Sequence, residues 1–145
     1  MQTNQPDASQ YLVRASMPVQ SGELSAIPHV LVVDDAPQLL QLIARVFDRI
    51  KDVKVTCFTS PLEALNAFLM EPHKFSLVLT DYMMPEMNGE ELAEKIHSVR
   101  REMPIVAITG STWEFRSMDT FVRVIEKPPA DILKLIADWF EERPR

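Results

Sequence analysis

From His29 to the C-terminus, short apolar runs alternate with helical apolar stripes, and this constrains the fold more than any other feature of the 145-residue chain. The runs at 29–33, 53–58, 75–80, 104–108 and 122–126 have strand length. Three are nearly continuous in Val, Ile and Leu, as expected of strands buried on both faces. Between them, Leu39, Ile43, Val46 and Ile50 recur at helical spacing, as do Leu62, Leu65, Phe68 and Leu69, then Leu92, Ile96 and Val99, and finally Ile132, Ile136, Trp139 and Phe140. Repetition of this kind predicts an α/β domain, a five-stranded parallel sheet doubly wound by helices.

Helix start signals agree with the stripes. Pro37, Pro61 and Pro129 fall at first helical positions, and Ser60 with Glu63 has the spacing of a capping box. The segment 111–121 carries Trp113, Phe115, Met118 and Phe121 but is too short for more than a weak or single-turn fourth helix. Residues 1–27 lack apolar periodicity and read as a tail or linker preceding a domain over 28–145, with a possible short strand at 11–17.

Composition removes several function classes. Three glycines, Gly22, Gly89 and Gly110, lie too far apart for a Gly-rich nucleotide loop. The single Cys57 cannot form an intrachain disulfide or a thiolate metal site, which suits a reducing, cytoplasmic compartment. A net charge of −6 with scattered Lys and Arg argues against nonspecific nucleic-acid binding, and no apolar run is long enough to span a bilayer.

Open parallel sheets of this type bind ligands at the carboxyl ends of their strands. There stand Asp34 and Asp35 after the first strand, Asp81 after the third, Thr109 ending the fourth and Lys127 ending the fifth. Two carboxylates 4 Å apart repel by roughly 4 kcal/mol at an effective dielectric of 20, so such a cluster calls for a cation or a bound proton. Oxygen donors without Cys or His suit Mg²⁺. Three acids, a metal, a hydroxyl and a lysine describe a phosphoryl-transfer centre in which one carboxylate can itself be the nucleophile.

These residues resemble the response-regulator receiver domains of two-component signalling. The matching pieces are Val32-Val33-Asp34-Asp35, the run from Leu79-Thr80-Asp81 through Met84-Pro85 to Asn88-Gly89, Ala107-Ile108-Thr109 and Glu126-Lys127-Pro128. The resemblance covers residues 29–143 and implies a flavodoxin-like sheet of order 2-1-3-4-5. It implies that Asp81 is the phosphoacceptor, taking a phosphoryl group from a phosphohistidine on a histidine kinase or a histidine phosphotransfer protein. Mg²⁺ would be held by Asp81, by Asp35 directly, by Asp34 through water and by the backbone carbonyl of Met83. Thr109 and Lys127 would bind the phosphoryl oxygens, and Met83 and Ser111 would modulate its lifetime.

The chain also departs from the family pattern. Between Thr109 and Lys127 it lacks about one helical turn, so the fourth helix is expected to be shortened. Val124 stands where the family usually has an aromatic that moves with the threonine, leaving Phe121 as the candidate substitute.

The resulting expectation is a phosphorelay switch that changes partner binding, catalyses only its own phosphorylation and dephosphorylation, and acts by contact because no output domain follows. The alternatives are the receiver segment of a hybrid histidine kinase and, in another class, an aspartate-nucleophile phosphatase, whose D-x-D signature Asp34-Asp35-Ala36-Pro37 does not supply. Cys57, His73 and His97 have no metal-spaced partners and read as structural or solvated.

Overall fold

The computed structural model describes residues 27–50, 52–110 and 120–126, together with Lys134 and Asp138. In chain order these form β1 (His29–Val33), α1 (Pro37–Asp48), β2 (Lys54–Phe58), α2 (Pro61–Met70), β3 (Leu77–Asp81), α3 (Gly89–Val99), β4 (Ile105–Thr109) and β5 (Arg123–Glu126). The five strands make one sheet in the order β2-β1-β3-β4-β5, with every pairing parallel. Both the fold class and the strand order expected from the sequence are present. The shortened fourth helix, the apolar stripe of the C-terminal helix, Lys127 and the tail with its strand at 11–17 lie outside the described residues.

Side chains alternate across the sheet, and the alternation builds two cores. Leu31, Val33, Val78, Ile105 and Ala107 face α2 and α3, packing with Ala64, Phe68, Leu92 and Ile96. Val30, Val32, Leu77, Leu79, Val106 and Ile108 face α1, packing with Leu40, Ile43 and Phe47. β3 and β4 are buried along their whole length, which is why they read as unbroken apolar runs.

The helix faces differ in detail from the sequence reading. On α1 the buried residues are Leu40, Ile43 and Phe47, with Leu39 and Ile50 at the margin of the core. On α2, Leu62 and Leu69 are 48% and 45% exposed, whereas Pro61, Ala64 and Phe68 are buried. That helix is apolar nearly all round, so periodicity alone does not choose its inner face; the small Ala64 lets it approach the sheet. Val99, at the last turn of α3, is also exposed.

Capping shows a similar shift. Ser60 Oγ accepts the Glu63 amide at 3.2 Å, one half of the expected box at α2. The complete reciprocal box starts α3 instead, where Asn88 Oδ1 accepts the Glu91 amide and Glu91 Oε1 accepts the Asn88 amide.

Candidate functional site

Asp34 and Asp81 are brought together by strand register. Val33 pairs with Thr80 across β1 and β3, so the next residue of each strand, Asp34 and Asp81, emerges at the same level of the carboxyl edge. The Asp34 amide donates to the Phe58 carbonyl at 3.1 Å, and its Oδ1 accepts the Ala36 amide at 2.8 Å. These bonds fix the turn and shut Oδ2 away from solvent. Asp34 therefore does not cap α1; the N-cap is Ala36, which has no side-chain cap.

Carboxylate oxygens of Asp34, Asp35 and Asp81 lie within 4.8 Å of one another. Asp34 and Asp81 are buried, whereas Asp35 is exposed and gives the cluster an open side. Thr109 ends β4 and is buried; since Asp81 pairs with Ile108, Thr109 stands one residue beyond Asp81 at the same edge. Four of the five polar groups expected at the carboxyl edge are thus found there, and Lys127 falls outside the described residues. Met83 follows two residues after Asp81, and its side chain is 58% exposed.

The donor set fits a hard divalent cation. It offers three carboxylates without sulfur or imidazole, and the exposed Asp35 side leaves room for the water that Mg²⁺ retains.

Local sequence explains how Asp81 is held. The Thr80 hydroxyl donates to the Asp81 carbonyl at 2.9 Å, and the Tyr82 amide donates to the Ile108 carbonyl at 3.0 Å. The loop 82–88 then returns to the strand end, where the Gly89 amide donates to the Tyr82 carbonyl at 2.7 Å. A Cβ on Gly89 would lie 2.5 Å from the Asp81 carbonyl oxygen, so glycine is what allows α3 to begin here. The Tyr82 hydroxyl donates to Glu90 Oε1 at 3.0 Å. The sequence reading assigned no role to Thr80, Tyr82 or Glu90. A Tyr-to-Glu spacing of eight matches no helical or strand period, and it needs the loop's return to become a contact.

Other candidates resolve as structural. Cys57 is half-buried on β2, where burial pushes its thiol pKa up and keeps it protonated and unreactive. His97 is largely buried, its Nε2–H donating to the Met103 carbonyl at 2.9 Å; burial holds its pKa below the usual histidine value. His73 is exposed in a loop. Phe121, the candidate for the threonine-coupled aromatic, sits away from Thr109 along the sheet. It is buried in the core facing α2 and α3, and Val122 beside it donates to Ile105 at the start of β4, whereas Thr109 is at that strand's far end.

A parallel 2-1-3-4-5 sheet with an acidic cluster at its carboxyl edge defines a receiver-type signalling domain. Residues 30–134 match the family model for the response regulator receiver domain, and the chain belongs to that family. It is 37% identical over 90 residues to the two-component response regulator ORR5 of Oryza sativa subsp. japonica, covering 61% of this chain and 66% of the relative. It is 39% identical over 91 residues to the sensor histidine kinase GacS of Pseudomonas protegens, covering 59% of this chain and 10% of the kinase. The matches thus span less than two thirds of these relatives' own lengths. Among solved structures, the response regulator protein TrrA of Thermotoga maritima, in complex with Mg(2+)-BeF, superposes with a TM-score of 0.67 at 20% identity, over 77% of this chain and 97% of that one. Among the described residues, no helix is long and apolar enough to cross a membrane.

Proposed function

We propose that this chain is a cytoplasmic phosphorylation switch in which Asp81 accepts a phosphoryl group from the phosphohistidine of a histidine kinase or phosphotransfer protein. The observation that carries the reading is the convergence of Asp34, Asp35 and Asp81 within 4.8 Å at the carboxyl edge of the sheet. An Asp81 carboxylate oxygen forms the new P–O bond as the P–N bond of the phosphohistidine breaks, and the imidazole leaves with a proton. The register of β1 and β3 and the two hydrogen bonds beside Asp81 hold that oxygen at the sheet edge. Asp34, Asp35, Asp81 and the Met83 carbonyl would hold Mg²⁺, which when bound offsets carboxylate repulsion and the charge of the incoming phosphoryl group. The Thr109 hydroxyl would donate to a phosphoryl oxygen, and Lys127 would supply the balancing positive charge. That TrrA, which shares the fold, was solved in complex with Mg(2+)-BeF is in keeping with a Mg²⁺-dependent reading.

The new charge on Asp81 would alter the face formed by the fourth helix, fifth strand and fifth helix, and output would follow as a change in partner binding. A ligand-like stabilisation of about 5.5 kcal/mol would carry such a switch from a 1:99 to a 99:1 population. The similarity to GacS favours one variant of this reading, in which the chain is the receiver segment of a hybrid kinase. Incubation with phosphoramidate and Mg²⁺ should add one phosphoryl group by mass spectrometry, and Asp81→Asn should abolish it. Undiminished labelling of the variant would overturn Asp81 as the acceptor.

A further inference from the structure

The loop between Asp81 and α3 leaves the sheet at Tyr82 and returns to the same residue. The Tyr82 amide is tied to Ile108, its carbonyl accepts the Gly89 amide, and its hydroxyl donates to Glu90 in the first turn of α3. Tyr82 is only 5% exposed, whereas Glu90 is half-buried. A phenylalanine ring would fill the same volume, whereas the hydroxyl adds a bond from the strand end to the helix start. Two other polar contacts of the loop among the described residues are local: the Met87 amide donates to the Pro85 carbonyl, and Asn88 pairs with Glu91 within the helix start. Met83 lies inside the span that Tyr82 closes.

We propose that Tyr82 and Glu90 form a clasp that positions the loop carrying the Met83 carbonyl, and that the clasp sets the affinity of the carboxylate cluster for Mg²⁺. The proposal rests on the reading of that cluster as a Mg²⁺ site. Tyr82 and Glu90 are positioning residues here. Neither needs to touch the cation; they fix the backbone that presents one of its ligands, as outer partners commonly do at metal sites. Closing the loop through a side chain also makes the tie removable without touching a carboxylate of the cluster.

Titration calorimetry of the full chain with MgCl₂ tests the clasp, with thermal melting of each metal-free variant alongside. Tyr82→Phe and Glu90→Ala should each weaken Mg²⁺ binding by roughly threefold to tenfold, the size expected from one lost hydrogen bond. The double variant should be no weaker than either single one, because both remove the same bond. Glu90→Gln keeps an acceptor oxygen and should bind close to the parent protein. At saturating Mg²⁺ the rate of phosphoramidate labelling should return to near the parent value, separating a binding effect from a chemical one. Parent-like affinity in both Tyr82→Phe and Glu90→Ala would overturn the clasp while leaving the phosphoacceptor reading intact. Glu90→Gln as weak as Glu90→Ala would overturn it too, by assigning the effect to charge. Failure of the parent protein to bind Mg²⁺ would instead remove the reading on which the clasp rests.

Discussion

Gly89 approaches the Asp81 backbone so closely that any side chain there would meet the Asp81 carbonyl, with a Cβ only 2.5 Å from its oxygen and 3.0 Å from the Tyr82 Cα. Both contacts are backbone and cannot rotate aside. Gly89→Ala should therefore destabilise the domain by about 1–3 kcal/mol despite alanine's better helix propensity, as overpacking does. Urea denaturation measures this, and an unchanged midpoint would show that α3 can shift without cost.

Glu86 adopts φ 76°, a left-handed conformation that a side chain with a Cβ disfavours. Replacing it with glycine should stabilise the fold by about 0.5–1 kcal/mol, since relief of a strain of roughly 1–2 kcal/mol outweighs glycine's extra unfolded-state entropy. The same denaturation experiment should show a higher midpoint for Glu86→Gly.

Arg100 ties together the segment between α2 and β3. Its Nη1 donates to the Pro72 carbonyl at 3.1 Å and to the Phe75 carbonyl at 2.5 Å. Arg100→Met keeps much of the stem's packing but strips both carbonyls of their donor, at an expected cost of about 1.5–3 kcal/mol for the charged hydrogen bonds. The ion pair with Glu102, 3.5 Å long with the acid 62% exposed, should add little, so Glu102→Gln should leave the melting temperature nearly unchanged.

Acidification should weaken the fold through His97. Burial holds its pKa below the usual value, outweighing the opposing effects of the Met103 carbonyl and Glu102. The unfolded chain therefore binds a proton that the native protein resists. This contribution to stability is complete above the unfolded value of about 6.5 and is lost as pH falls from there through the lower folded pKa. His29 shifts the same way, through burial and the nearby Lys74 and Lys54. Denaturation at a series of pH values should show stability falling below about 6.5, with a shallower fall in His97→Gln. An equal slope in that variant would remove His97 as a cause.

The sequence made the sheet legible because β1, β3 and β4 are buried on both faces and each leaves an unbroken apolar run. The acidic cluster was legible because Asp34, Asp35 and Asp81 directly follow or end such runs. The inner face of α2 was not, since Leu62, Leu65, Phe68 and Leu69 offer apolar surface in most directions and only the sheet decides between them. Nor was the contact of Tyr82 with Glu90, because eight residues apart is no helical or strand period and the meeting depends on how the loop closes. Ser60 and Asn88 are a smaller case: both have a glutamate three residues on, but only the second pair closes the full box.

The two apolar cores bear on when the site comes apart as well as on where it sits. β1 and β3 are flanked by strands on both sides and roofed by a core on each face, while β2 is an edge with half-buried side chains. Regions of that kind open last in the sub-global fluctuations that expose amides to exchange, and edges open first. Asp81 therefore ends a strand of the late-opening kind, whereas Asp34, whose amide is bonded to Phe58 at the end of β2, is tied to the strand that opens first, so fraying at β2 loosens one carboxylate of the pair and not the other.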